Sequence, residues 1–289
     1  MNDLKTKFAE RRALLVPGAT HALSARIIAD LGFEAVYLSG AGLTNTYLGL
    51  PDLGFISLNE LAQHTATIRD AIEIPIIVDA DTGFGNALNV RHSVRVLERA
   101  GANAIQLEDQ IMPKRCGHFS GKAVLSAGEM VGKLKAAADA RHSEDFLLIA
   151  RTDAIAVEGF ETAIERSQRY IEAGADLTFV EAPNSLEQLR QIPLLLPAPQ
   201  VANMVIGGKT PILPQSELAR TGFGLVLYAN TALQGAIVGM QNALQALKTQ
   251  GQLDESSGLV AAFAERQRLV QKPFFDALEK RYSSDDETR

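Results

Sequence analysis

The sequence predicts a (β/α)8 TIM-type barrel with additional C-terminal helices, and three observations carry that expectation. Short apolar runs rich in β-branched residues alternate with amphipathic helical stretches about eight times between Leu14 and Tyr228. Glycine recurs where a helix gives way to the next strand, at Gly32, Gly101, Gly174 and Gly222, which suits the left-handed residue that stops a helix. The strand runs are continuously apolar, as in parallel strands covered on both faces, and no Pro/Ser-rich linker divides them. Over this length the pattern favours a closed barrel above an open doubly wound sheet.

The elements follow in order. Leu14–Ala19 reads as the first strand, followed by a helix that Ser24 is placed to cap. Residues 35–40 form the second strand, 57–71 a helix, and the run from Ile76 the third strand. A helix over 88–100 leads to a strand over 104–108, and a long polar loop leads to a helix over 127–140. Strands at 146–151, 177–181, 200–203 and 225–228 complete the set, with a helix over 161–173 and a short one after Glu181. Beyond them lie a last barrel helix over 233–247 and an amphipathic segment over 259–282, interrupted by Pro273. Residues 1–250 are thus read as the catalytic barrel and 251–289 as a helical extension.

Composition excludes several function classes. The 289 residues carry a net charge of −6 with acids and bases interspersed, so no nucleic-acid surface is expected. No apolar run approaches the ~18 residues that a membrane span needs, and the stretch from Met1 to Arg12 lacks the apolar core of a signal peptide. The single cysteine, Cys116, permits no intrachain disulfide and fits a reducing cytoplasm.

The chemistry concentrates where the strands end. Ile76-Ile77-Val78-Asp79-Ala80-Asp81 places two aspartates on one face of a strand if the alternation holds. Two like charges on one face repel unless a cation sits between them. Glu108 ends the next strand, and three carboxylates so placed suit a hard divalent cation such as Mg²⁺. The blander alternative is that such acids cap helices or face water. The Gly83-Phe84-Gly85 turn lacks the third glycine and following acid of a dinucleotide site. Polar residues at strand ends, Ser39, Asp79, Asp81, Glu108, Arg151, Glu181 and Asn203, would share one mouth. In the loop from Met112 to Lys122, Cys116 follows Lys114 and Arg115 and precedes His118. Nearby positive charge favours a reactive thiol there rather than an inert one.

With these motifs on the page, the chain resembles the isocitrate lyase/phosphoenolpyruvate mutase superfamily over nearly its whole length. Its marks are Ser39-Gly40, Leu48-Gly49-Leu50-Pro51-Asp52, Asp79-Ala80-Asp81, Glu108-Asp109-Gln110, Lys114-Arg115-Cys116-Gly117-His118, Arg151-Thr152-Asp153 and Asn203-Met204-Val205, followed by Gly207-Gly208-Lys209-Thr210-Pro211. The resemblance implies that Asp79 and Asp81 belong to an Mg²⁺ (or Mn²⁺) site, with Asp52 and Glu108 nearby through waters. It implies that Ser39, Gly40 and Ala41 hold a substrate carboxylate, and that Arg151, Glu181 and Asn203 contact substrate. Cys116, helped by His118, would deliver a proton.

The implied activity is carbon–carbon cleavage of a 2-hydroxy acid to a 2-keto acid and a carboxylate. Methylisocitrate lyases look similar but carry an arginine shortly after the last barrel strand, where Gln234 stands here. A neutral glutamine cannot replace an arginine's forked pairing with a third carboxylate. The expected substrate is therefore a 2,3-dimethylmalate-like dicarboxylate giving pyruvate and propionate. Methylisocitrate cleavage to pyruvate and succinate, carboxyphosphonoenolpyruvate phosphonomutase chemistry and a non-catalytic barrel are the alternatives, in that order. Relatives exchange C-terminal helices between subunits, so the resemblance also implies a homotetramer built as a dimer of helix-exchanged dimers.

Overall fold

A computed structural model of the chain describes residues 4–114 and 121–283. The chain divides into two compact units, Met1–Leu233 and Gln234–Arg289. In the first unit, eight strands run as β1 (Leu14–Ala19), β2 (Val36–Leu38), β3 (Ile76–Asp79), β4 (Ala104–Glu108), β5 (Leu147–Thr152), β6 (Leu177–Val180), β7 (Val201–Asn203) and β8 (Leu225–Tyr228). They pair in parallel in the order β6-β5-β4-β3-β2-β1-β8-β7. A parallel bridge between Thr178 and Gln200 joins the two end strands and closes the barrel, as the sequence pattern requires.

Helices surround the barrel: α1 (Leu4–Ala9), α2 (Ala22–Asp30), α3 (Gly40–Leu43), α4 (Leu58–Ala71), α5 (Ala87–Arg99), α6 (Ala127–Ala140), α7 (Ile155–Glu158), α8 (Phe160–Glu172), α9 (Leu186–Leu195) and α10 (Gln215–Thr221). Their buried residues fall at helical spacing; α5 buries Val90, Ser93, Val94 and Leu97. The cap of α2 corrects the sequence reading. Its N-cap is His21, whose Nδ1 accepts from the Ser24 backbone N–H, while Ser24 Oγ accepts from the His21 N–H. Ser24 closes the capping box from inside because the helix begins sooner than its hydroxyl suggested. The four joint glycines, Gly32, Gly101, Gly174 and Gly222, all take positive φ, between 83° and 108°.

Strand alternation sorts side chains into inner and outer cores. Along β5, Leu147 and Ile149 join the barrel interior with Val16, Tyr37, Ile77 and Phe179. Leu148 and Ala150 face outward, packing with α5 and α6 residues such as Leu97 and Leu134. Residues buried on both faces explain why the strands read as continuous apolar runs. Helix α1 was not expected; its Leu4 and Phe8, 0% and 1% exposed, pack into the interior cluster.

The last long helix, α11 (Thr231–Gln250), crosses the division between units and carries no buried residue. The second unit continues with α12 (Phe263–Leu269) and α13 (Lys272–Tyr282), where Pro273 sits in the first turn of α13, a position that tolerates proline. Neither α12 nor α13 buries any residue, and Phe263, Phe274 and Phe275 are all exposed. Among the described residues no helix is long and apolar enough to cross a membrane.

The β1–β8 seam yields a stability test. A Cβ added at Gly18 would lie 1.8 Å from the Ala229 carbonyl oxygen, a backbone atom that no rotamer can move. Gly18→Ala is expected to cost about 3 kcal/mol. Gly132→Ala, in α6 with nothing within 4 Å, should stabilise by about 0.5–1 kcal/mol. Urea unfolding midpoints check both, and an unchanged midpoint for Gly18→Ala would mean that the seam can spread.

Candidate active site

A cavity at the strand C-terminal ends is lined by Ser39, Ala41, Asp52, Asp79, Glu108, Arg151, Glu181 and Asn203, all singled out from sequence. Tyr37, Lys114, Phe179, Val205, Leu227, Ala229 and Asn230 complete its wall. Tyr37 and Asn230 had readable signals, the first from strand alternation and the second from lying two residues past β8. Lys114 was read as charge near the cysteine and as part of the Lys114-Arg115-Cys116-Gly117-His118 mark, with no place at the acids. Cys116 and His118 lie outside the described residues. Gln234 lies in the first turn of α11 and belongs to the second unit.

The two aspartates converge by a different route from the one the sequence suggested. Strand β3 ends at Asp79, and Asp81 has φ +47°, so the pleat does not carry its side chain. Short polar residues tolerate this left-handed region better than most. The turn still brings both carboxylates to Gly40. A Cβ on Gly40 would lie 3.2 Å from Asp79 Oδ2 and 3.3 Å from Asp81 Oδ1. Glycine there lets the chain pass close to both acids.

The Asp79 carboxylate is well supplied with donors. Gln106 Nε2 and the Asp81 N–H each donate to Oδ1 at 3.2 Å, and the Gly40 N–H donates to Oδ2 at 3.3 Å. The buried Tyr37 hydroxyl donates to Gln106 Oε1 at 2.7 Å and so orients that amide. Lys114 Nζ lies 2.5 Å from Asp52 Oδ1 and 2.8 Å from Asp81 Oδ1. Burial pushes the Asp81 carboxyl up to about 7, against the pull of Lys114. Burial also raises Glu108 well above the usual carboxylate range, with Arg151 opposing. Burial would lower the Lys114 ammonium, but Asp81, Glu108, Asp79 and Asp52 outweigh it and raise it.

At the end of β5, Asp153 grips the Arg151 guanidinium with two hydrogen bonds, 2.9 Å from Nε and 3.1 Å from an Nη. Lys122 Nζ donates to the same carboxylate at 2.7 Å. Asp109 Oδ1 accepts from the Asp153 N–H, while its Oδ2 accepts from the Thr152 and Tyr170 hydroxyls. Arg151 Nε also lies 3.5 Å from Glu108 and 3.8 Å from Glu181, and its Cζ stands 5.2 Å from the Phe179 ring centroid. Asn203 Nδ2 donates to Glu181 at 3.3 Å. Burial lowers the Arg151 guanidinium, but Asp153, Glu181 and Glu108 outweigh it and hold it well above its ordinary value.

A divalent cation can be judged against this donor set. Asp52, Asp79, Asp81 and Glu108 offer only hard oxygens, and Glu108 Oε1 is buried without a hydrogen-bond partner among the described residues. Among the described residues no group of three or more Asp, Glu, His or Cys side chains is arranged to hold a metal ion. The hard-oxygen donor set is what suits Mg²⁺, which takes one or two carboxylates and keeps several waters.

Asp153 is fully buried, so removing its charge leaves two buried cations short of a partner. Asp153→Asn should cost about 3–5 kcal/mol in urea unfolding. Adding Lys122→Met should recover part of that loss, because the pair is coupled. Strictly additive effects would show that Lys122 and Asp153 do not depend on one another.

A family model for phosphoenolpyruvate phosphomutase matches residues 4–248. The 2,3-dimethylmalate lyase of Eubacterium barkeri is 43% identical over 245 residues, covering 85% of each chain. The 2-methylisocitrate lyase of Aeropyrum pernix is 46% identical over 248 residues, covering 86% of this chain and 80% of that enzyme. Phosphonopyruvate hydrolase, solved with oxalate and Mg²⁺, superposes with a TM-score of 0.86 at 30% identity, covering 96% of this chain and 97% of that one. The chain therefore belongs to the phosphoenolpyruvate phosphomutase family, in the isocitrate lyase/phosphoenolpyruvate mutase superfamily whose marks its sequence carries.

Proposed function

We propose that this chain, a carbon–carbon lyase by its family and relatives, cleaves a 2,3-dimethylmalate-like 2-hydroxy dicarboxylate. The products are a 2-keto acid such as pyruvate and a carboxylate such as propionate. One observation carries the reading: Asp52, Asp79 and Glu108 line a single cavity at the strand ends together with Arg151, whose Nε lies 3.5 Å from Glu108. Acids able to take a cation, with a guanidinium beside them, suit a small anionic substrate presented through that cation.

Asp79 and Asp81 would hold Mg²⁺ or Mn²⁺, with Asp52 and Glu108 acting through waters. When bound, the cation supplies Lewis-acid polarisation of the substrate's hydroxyl and carboxylate oxygens. Ser39, the N-cap of α3, with Gly40 and Ala41 in its first turn, holds one substrate carboxylate. Loss of the hydroxyl proton lets the oxygen's electrons form the keto group as the adjacent carbon–carbon bond breaks. The bonding pair moves to the carbon beside the second carboxylate. Arg151, fixed by Asp153, offsets the charge that builds there, while Glu181 and Asn203 complete the contact. The Cys116 thiol gives its proton to that carbon, with His118 beside it in sequence. This role rests on the loop motif and the family resemblance.

The single cysteine must stay a free thiol for this chemistry, which supports a cytoplasmic location. The exposed Phe263, Phe274 and Phe275 on helices that bury nothing support a homo-oligomer formed by exchange of C-terminal helices. Methylisocitrate cleavage is the second reading, favoured by the 46% identical relative.

Two experiments test the proposal. Excess chelator should abolish turnover and added Mg²⁺ restore it, and Asp81→Ala should be inactive yet folded by circular dichroism. Full activity in chelator would remove the cation from the mechanism. Substrate choice is read from kcat/KM. If Gln234 takes the place of the methylisocitrate lyases' arginine, a third carboxylate goes unpaired, so methylisocitrate should be disfavoured by roughly 10²-fold against dimethylmalate. Gln234→Arg should shift the ratio toward the tricarboxylate. Efficient methylisocitrate cleavage by the parent would show that another residue holds the third carboxylate and would favour the second reading.

A further inference from the structure

Among the described residues, Lys114 is the cation closest to the proposed metal-binding acids. Its side chain is 4% exposed, and its Nζ touches Asp52 Oδ1 and Asp81 Oδ1 at 2.5 and 2.8 Å. These acids come from different parts of the barrel: Asp52 follows the π-helical turn Thr44–Leu48, and Asp81 follows β3. One ammonium thus draws together two connections that carry like charges. The Asp81 contact brings opposite charges to 2.8 Å, and the pull of Lys114 on the Asp81 carboxyl opposes the effect of burial. A buried lysine is costly unless acids compensate it, and buried acids are costly unless a cation compensates them. Each here supplies what the other lacks.

We propose that Lys114 is the resident counter-cation of the metal-free protein, and that a divalent cation enters by exchange with it. The inference rests on the reading of Asp79 and Asp81 as the metal site. Mg²⁺ bonds carboxylate oxygen at about 2.0–2.1 Å, and Lys114 Nζ already lies within 2.8 Å of Asp81 Oδ1. Two cations on one carboxylate oxygen in a buried site repel strongly. Lysine out and metal in are therefore one event. It keeps the acids neutralised before loading. It also sets the apparent metal affinity, because only the fraction of molecules with the lysine withdrawn can bind. The four-carbon stem gives Lys114 the reach to leave without moving a strand.

The experiment labels amines in the unaltered protein. Reductive methylation is run in chelator and in saturating Mg²⁺, and the Lys114 peptide is quantified by mass spectrometry, with exposed Lys5 as internal reference. Calorimetric Mn²⁺ titration of the parent and of Lys114→Met runs alongside. Exchange predicts that Lys114 is protected in chelator and labels at least ~10-fold faster in Mg²⁺, and that Lys114→Met binds Mn²⁺ at least ~10-fold more tightly. Cation binding by the parent with Lys114 equally protected in both conditions would overturn the exchange and leave the metal site standing. No cation binding by the parent would overturn both. The labelling arm decides the matter even if Lys114→Met fails to fold.

Discussion

The structure depends on how charge is balanced inside one end of a closed barrel. Asp52, Asp79, Asp81, Glu108, Asp153 and Glu181 gather at the strand ends against Lys114, Lys122 and Arg151. Six of the nine are at most 8% exposed. Ions so placed are tolerated only when partners replace the lost water. Many polar contacts at this end serve that need, from the Tyr37–Gln106–Asp79 chain to the clamp of Asp153 on Arg151. Since the acids outnumber the bases, this end attracts further positive charge.

Two kinds of buried carboxylate can be told apart. Asp109 and Asp153 are saturated by donors from Thr152, Tyr170, Arg151 and Lys122, and they hold neighbouring residues in place. Asp81 and Glu108 each keep an oxygen without a hydrogen-bond partner among the described residues, and burial raises both acids. The first kind builds the frame. The second kind meets its neighbours chiefly through charge, Asp81 with Lys114 and Glu108 with Arg151. Backbone conformation marks the same region: Asp81 and Ala182 hold positive φ just past β3 and β6. Strain of this kind persists only where the surrounding structure enforces it.

The barrel interior explains why the site sits at one end. Val16, Tyr37, Ile77, Leu147, Ile149, Phe179 and Leu227 fill the middle, and α1 packs Leu4 and Phe8 into the same cluster. Polar groups on the strands therefore reach a cavity only past the last apolar layer. Phe179 is both the edge of that layer and the ring beneath the Arg151 guanidinium. Packing and chemistry meet at this residue.

The sequence by itself determined the barrel, because the joint glycines, the continuous apolar strands and the repeated βα unit are local signals that short-range physics reads directly. It also determined which residues end the strands, and so that Ser39, Asp79, Glu108, Arg151, Glu181 and Asn203 belong to one mouth. Other features were decided only by tertiary structure. Helix α1 hides in a charged stretch, because two apolar residues four apart carry little signal until a barrel offers them a place. Asp81 reaches Asp79 through a left-handed turn rather than a pleat, which no alternation rule contains. Lys114 became a partner of Asp52 and Asp81 only when segments 62 and 33 residues apart in sequence were folded together. Charge acts through space, so the pairing of buried ions could not be read until distance along the chain had been replaced by distance in the fold.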